Sequence, residues 1–524
     1  MTLDLEKQAA QVEESTASST SDKEGVIVAR ETATPSAPHV PVPSKLRALN
    51  NRIENLAGLE ARGITRVLPE ERHGISPMRY AQMAIIWYSA NISANNLAVG
   101  LLGPLLFNLG FVDSAMMAVW GCLLGSAVTA YMSTWGAQSG NRTMIVVRYF
   151  MGYWPAKLTT VLNMILMVGY AVISTIISGQ ILSAVSDGSM SIVVGIVITA
   201  LISWLVAVFG MSIFHTYERY AWIPQTIVLL ILCGVAGKNF NTGSVSIIPD
   251  GAPSAAITAD RLSFFSLQLS VPLSWAGAGS DFYVYYPEST SKRLTFLMTL
   301  TGLWISFIFV NLIGIGLGAG TFTNTKWNDA YGISSGALIL EGFAPLHGFG
   351  KFCGVVVALG VISNNVPGTY AAALNCQVLG RFGKMVPRWL WVCVIVLIYF
   401  VCAIAGRDHL FAIFQNFLAL MGYWLVILVT IVVEETLIFR RSRGFDWTKW
   451  EDQKYLPVGA AALLSFLIGW AGAIIGMYQV WYVGPVAQQA GDGYGADIGI
   501  WLALGFTLVV FPPLRFLELK TIGR

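Results

Sequence analysis

The sequence predicts an all-α integral membrane protein of about twelve transmembrane helices. Three observations carry that reading. The 524 residues are 55% hydrophobic and only 12% charged, too little charge to cover a soluble protein of this length. The apolar residues fall in recurring runs of roughly 18–25, long enough to cross a ~30 Å hydrocarbon core as helices. Between the runs, Lys and Arg gather in alternate loops, the bias that orients helices in a bilayer.

Residues 1–75 stand apart. Stretches such as STASSTSDKEG and TPSAPHVPVPS are rich in Ser, Thr, Glu and Pro. Such composition cannot bury enough apolar surface to fold alone, so it predicts a disordered cytosolic tail. The opening MTLDLEKQ has no apolar h-region, and no cleaved signal peptide is expected. The helical domain then covers 76–524. Its expected spans are 82–107, 113–135, 158–183, 190–211, 219–237, 262–285, 295–319, 351–377, 389–406, 410–433, 456–476 and 497–517.

With the N-terminus inside, inner loops hold clusters such as Arg381, Lys384 and Arg388, and Arg440, Arg441, Arg443 and Lys449. Outer loops hold only Lys238, Arg261, Lys326, Lys351 and Arg407. Both termini are therefore expected in the cytosol. A net charge of +3 predicts no nucleic-acid partner. All six cysteines fall inside apolar runs and read as buried free thiols. The histidines form no zinc-hydrolase motif, and no nucleophile elbow occurs. An enzyme is not expected, nor a metal or cofactor.

Function is expected where polar residues interrupt apolar runs. The eighth span contains ISNNVPGTY. Pro367 has no N–H, so the carbonyl of Ser363 loses its helical partner. Gly368 adds backbone freedom. An unpaired carbonyl in lipid costs several kcal/mol, so this stretch must face protein, water or ligand. Asn364 and Gly368 share a helical face, with Asn365 about 100° away. In the first span, Asn91 and Asn95 lie four apart, Asn96 follows, and Pro104 frees the carbonyl of Gly100. In the sixth, Trp275 precedes Gly277 and Gly279, with Asp281 behind them. Interrupted helices five spans apart point to an inverted-repeat transporter with a midplane site. A polar stripe on the third span (Asn163, Met167, Tyr170, Ser174, Ser178) would face it. A channel would carry polarity along whole helices, whereas here it clusters at one depth.

These residues resemble the nucleobase–cation symporter-1 family, specifically its fungal purine-cytosine permease branch. The resemblance rests on GITRVLPEERHG; on Trp87, Ser89, Ala90, Asn91, Gly100, Gly103 and Pro104; on Tyr217-Glu218 with Trp222; on the run from Trp275 to Pro287; and on S-N-N-x-P with Tyr370, Gln377, Leu379 and Gly380. It implies a LeuT-like five-plus-five inverted repeat with helices 1 and 6 broken, and proton-coupled uptake of cytosine and purines at the plasma membrane. Trp275, with Tyr170 opposite, would stack a flat neutral base. Asn364 would read its edge, with Ser174, Asn96 and Gly368 nearby. Gly100, Pro104, Gly277, Gly279, Asn365 and Pro367 would shape the breaks. Glu218 and Asp281 would couple the proton; sodium is the less expected ion.

Several positions depart from the branch; in the first span, Asn96 and Ala98 stand about where relatives carry small hydroxyl residues. Gly169-Tyr170-x-x-x-Ser174 stands where relatives carry G-W-x-x-x-N, and Gly368 stands where S-N-N-x-P-N ends in Asn. Tyr stacks over less area than Trp, Ser lacks an amide edge, and Gly offers no side chain. The departures imply a roomier pocket, hence weak cytosine transport or preference for a purine or pyridoxine. Some branch members carry vitamin B6. A non-transporting nutrient sensor with the same pocket is the rival of another class.

Overall fold

A computed structural model describes residues 63–72, 74, 76–209, 211–441 and 444–524; the side chains of 209, 211–219 and 363 are outside that description. The long helices are α1 (Pro77–Asn91), α2 (Ala94–Leu106), α3 (Phe111–Ser139), α4 (Pro155–Val185), α5 (Ile192–Phe209), α6 (Met211–Ala236) and α7 (Ala256–Leu273). They continue with α8 (Lys292–Gly320), α9 (His347–Val378), α10 (Arg388–Gly406), α11 (Leu410–Glu434), α12 (Ala460–Gly476) and α13 (Gly499–Ile522). The sole β feature among the described residues is a bridge between Tyr478 and Val483.

Among the described residues, eight helices are long and apolar enough to cross a membrane, and Ala94–Leu106, Ile192–Val208 and Ala460–Gly476 are shorter apolar ones. Their outer faces carry exposed large apolar residues, such as Leu205 on α5, Leu230 on α6, Val401 on α10 and Val509 on α13. Lipid, not water, matches such a surface.

Small residues set the closest packing. A Cβ on Gly100 of α2 would lie 2.4 Å from Asn311 O, and one on Gly314 of α8 would lie 2.1 Å from Leu97 O. The two backbones therefore touch, the usual role of glycine between membrane helices. This corrects the sequence reading, which gave Gly100 to a helix break. Pro104 is corrected as well. It lies near the end of a continuous α2, where one missing hydrogen bond leaves the helix intact to Leu106. Pro367, with Asn365 beside it, also sits inside an unbroken α9. Membrane helices tolerate an internal proline where neighbours satisfy the freed backbone.

The tail boundary moves too. Residues 63–72, expected to end the disordered tail, pack on the helical body. Val67 N donates to Gly140 O (2.9 Å), Arg66 to Ser139 O (2.7 Å) and Arg72 to Ala137 O (2.6 Å). Ile64 and Val67 are buried, and that apolar pair supplies the packing the polar stretches lack. Residues 1–62 lie outside the described residues.

Near the end of α11, a buried ionic cluster ties three helices together. Arg515 of α13 donates to both oxygens of Glu435 (2.8 and 2.9 Å). Glu518 accepts from Gly459 N at the start of α12 (2.8 Å). A two-pronged Arg–carboxylate pair fixes orientation as well as charge. The six cysteines are free, and Cys122, Cys353 and Cys376 are buried as expected. Cys402 is exposed instead, because its face of α10 turns outward.

Candidate functional site

The site forms where two spans lose helical geometry side by side. Between α1 and α2 the chain runs extended through Ser93 (φ −140°, ψ 159°), after Ile92 (φ −82°, ψ 70°). After α7 the chain passes through two tight helical turns, Ser274–Gly277 and Gly279–Tyr283, joined at Ala278. Gly277 is required there. A Cβ would lie 2.1 Å from Asn163 Oδ1, and Asn163 Nδ2 donates to Gly277 O (3.1 Å). Gly279 faces Ser133 Oγ, 2.9 Å from where a Cβ would stand.

Side-chain amides take up the carbonyls that the first gap leaves open. Asn96 Nδ2 donates to Asn91 O (2.6 Å), and Asn364 Nδ2, reaching across from α9, donates to Ala90 O. Such pairing is what an apolar environment demands of a helix end. Asn91 orients the neighbouring span: its Oδ1 accepts from Trp275 Nε1 (2.8 Å) while its Nδ2 holds Trp87 O (2.8 Å). Trp87, fully buried, donates to Tyr283 Oη (2.6 Å), which is hydrogen-bonded to Thr299 of α8 (2.6 Å). Trp87 and Trp275 meet edge to face, with centroids 5.6 Å apart.

Around these gaps lies a cavity with about 520 Å³ of empty space out to its mouth. All six expected substrate residues (Asn96, Tyr170, Ser174, Trp275, Asn364 and Gly368) line it, and so do Asn91, Asn95 and Asn365. Among the described residues, no Asp, Glu, Lys, Arg or His lines it. Trp275, Tyr170, Phe307 and Met167 supply apolar walls. Tyr170 meets Phe417 edge to face at 5.4 Å. Beyond Gly368 the space is open; the nearest atom to an added Cβ is Met167 Sδ at 3.9 Å.

The polar groups left over include both acceptors and donors. Asn95 Nδ2 donates to Ser174 Oγ, while its Oδ1 is buried without a partner among the described residues. Asn364 places one N–H on Ala90 O, so its second N–H and its oxygen remain. The buried Tyr170 hydroxyl lies beside Ser274. Asn365 lines the cavity but reaches Ser203 of α5 (3.4 Å).

Of the two expected coupling residues, only Asp281 has a described side chain. Asp281 does not line the cavity. It accepts from Thr143 N (2.6 Å) and Thr143 Oγ1 (2.8 Å), anchoring the short helix Thr143–Val146. That is a capping role, in which a carboxylate satisfies the free N–H groups of a helix start. The Glu218 side chain lies outside the described residues. Sequence reasoning missed Phe307 and Ser274 as wall residues. Phe307 sits in an apolar stretch of α8 with no polar neighbour to mark it, whereas Ser274 adjoins Trp275 and could have been found from it.

Comparisons with known proteins agree with this geometry. Residues 68–494 match the family model described as permease for cytosine/purines, uracil, thiamine, allantoin. The vitamin B6 transporter TPN1 of Saccharomyces cerevisiae is 32% identical over 538 aligned residues, covering 92% of each chain. The purine-cytosine permease fcyB of Emericella nidulans is 33% identical over 479, covering 90% of this chain and 92% of its own. Among solved structures, Mhp1, a nucleobase-cation-symport-1 family transporter in a closed conformation with bromovinylhydantoin bound, superposes with a TM-score of 0.66. Its sequence identity is 15%, over 88% of this chain and 96% of that one. Fold, site and sequence converge: the chain belongs to the nucleobase–cation symporter-1 family of cytosine and purine permeases.

Proposed function

We propose that the chain is a secondary active transporter that imports neutral heteroaromatic compounds of the nucleobase class, purines and/or cytosine, across the plasma membrane with a proton. The single observation behind this reading is the cavity at the paired helix gaps: free of charged side chains among the described residues, walled by Trp275, Tyr170 and Phe307, and edged by amides and hydroxyls such as the unpaired Asn95 Oδ1. A flat ring gains apolar and aromatic contact there. Its N–H groups meet Asn95 Oδ1, Asn364 Oδ1 and the Tyr170 hydroxyl, each an ordinary hydrogen bond worth about 0.5–1.5 kcal/mol. Ser174 and Asn96 act one step back, by holding Asn95 and the Asn91 carbonyl. The gaps let the two half-spans of each broken helix move separately, as alternating access requires. Twelve spans in a LeuT-like five-plus-five inverted repeat, with both termini cytosolic, complete the reading.

Proton coupling is favoured over sodium by the same hydrogen bonds. A sodium cage would use the carbonyls freed in the first span, and here Asn364 and Asn96 amide protons already meet them. Glu218 is the proposed proton acceptor. Acidification should stimulate uptake, Glu218→Gln should flatten that response, and sodium should have no effect. Transport that stops on sodium removal would exclude the proton.

A second substrate reading, pyridoxine, is favoured by the open space beyond Gly368 and by the similarity to a vitamin B6 transporter. Uptake by a permease-null yeast, competed by cytosine, adenine, hypoxanthine, uracil, allantoin and pyridoxine, separates the two. Binding without uptake of any of them would make the protein a sensor instead.

A further inference from the structure

A second cavity lies farther along α7, bounded by α11, the end of α2 and the connection between α12 and α13, with about 710 Å³ of empty space. It begins at Ser270, next in sequence to Val271 of the central cavity. Its chemistry is the opposite. Two carboxylates, Asp260 and Asp497, line it, and no Lys, Arg or His does among the described residues.

The two acids are held differently. Asp497 is enclosed by donors: the Tyr423 hydroxyl, Gln479 Nε2 and Gly499 N (3.1 Å). Asp260, buried, accepts only a 3.3 Å bond from the Tyr494 hydroxyl among the described residues. Gln479 is 2% exposed, and its Oε1 has no partner among the described residues. Ser263, Ser266 and Ser270 each donate to a main-chain carbonyl of α7 (2.8–2.9 Å); Ser263 also accepts from Asp497 N (2.9 Å) and Ser266 from Trp501 Nε1 (2.9 Å), so Ser270 Oγ is the serine oxygen with both lone pairs left for the cavity. An enclosed wall of acceptors with excess negative charge calls for a ligand that donates and is positive.

We propose that this cavity is a second binding site, which takes a small organic cation carrying N–H groups. The room available is far larger than the tight oxygen cage, at about 2.0–2.6 Å, that a bare metal cation demands. Tyr423, Tyr478 and Tyr494 add aromatic surface of the kind that attracts organic cations. The cation bridges Asp260 and Gln479 Oε1, and its ring lies among the tyrosines. Under the orientation expected from the Lys and Arg bias, this mouth faces outward, so the site would sample the medium. The assignment is independent of what the central cavity carries.

The test uses the full-length protein purified into lipid nanodiscs and tritiated 4-aminopyridine, a protonated aromatic ring near neutral pH. Aniline, of the same size but neutral there, is the competitor. Wild type should bind saturably and resist aniline. Asp260→Asn should weaken binding about tenfold or more, the usual loss for a charge-assisted contact. Asp260→Glu should retain it, which guards against a variant that fails to fold. Trp275→Ala should bind like wild type. Absence of saturable binding, full displacement by aniline, or loss in Trp275→Ala with Asp260→Asn unaffected would each overturn the proposal.

Discussion

Two asparagine-and-proline stretches of this chain look alike and fold differently. Residues 91–104 hold Asn91, Asn95, Asn96 and Pro104; residues 364–367 hold Asn364, Asn365 and Pro367. The first is interrupted at Ile92-Ser93, well before its proline, while α9 runs unbroken through Pro367. The contrast teaches that proline does not choose where these helices open. A proline removes one donor, at a cost that neighbouring groups can meet. At the gap, side-chain amides reach the carbonyls of Asn91 and Ala90, Asn96 from the same span and Asn364 from α9, and Asn91 O also accepts from Ser93 N. The unbroken helix thus stabilises the break in the other.

The largest predicted effect concerns Gly100, which packs rather than opens. Gly100→Val should force α2 from α8 and cost more than the ~1–3 kcal/mol of ordinary overpacking, because the opposing atoms are backbone. Fluorescence of a tagged protein should then show it missing from the cell surface. Normal surface levels would restore Gly100 to the break.

Asn96→Leu comes next. It leaves Asn91 O with only its bond from Ser93 N (3.0 Å), and the lost amide hydrogen bond is worth about 0.5–1.5 kcal/mol. The purified variant should melt earlier than wild type and transport poorly. An unchanged melting temperature would mean that the amide does not support the gap.

Gly368→Asn should have a smaller effect, and in the favourable direction for cytosine. The open space admits the side chain, and one new neutral hydrogen bond is worth about 0.5–1.5 kcal/mol, or about 2- to 12-fold in affinity. Competition against uptake reads this directly; a weaker cytosine response would show that Gly368 serves the native substrate. Pro367→Ala should do least, since the helix is already continuous there. Stability within about 1 kcal/mol of wild type is expected, and a large loss would mean that Pro367 holds a conformation α9 needs.

Much of the site was legible in the sequence because buried amides in apolar runs are costly unless they do something. That argument singled out Asn364 and Asn96; the glycine hinge singled out Trp275, the stripe on the third span Tyr170 and Ser174, and the Pro-Gly pair Gly368, and all of them line the cavity. It failed where the reason is contact between distant segments. Gly100 packs on Asn311, more than two hundred residues away, and Asp281 caps Thr143. Neither partner is visible from local spacing. Phe307 was hidden for the opposite reason, since an apolar residue in an apolar helix carries no mark of which face meets a cavity. The docking of 63–72 was missed because tail composition was averaged over a segment whose last apolar pair, Ile64 and Val67, is buried.

The most direct test of the account is radiolabelled uptake in a permease-null yeast by three surface-expressed proteins: wild type, Asn364→Ala and Trp275→Ala. The compound used is whichever member of the nucleobase and pyridoxine panel wild type carries best. Removing Asn364 takes away both a cavity acceptor and the donor to Ala90 O, so uptake should fall to background while the protein stays at the membrane. Removing Trp275 strips the cavity wall held by Asn91 and should raise the KM steeply. Normal uptake by both variants would contradict the claim that substrate binds in the uncharged cavity between the broken helices.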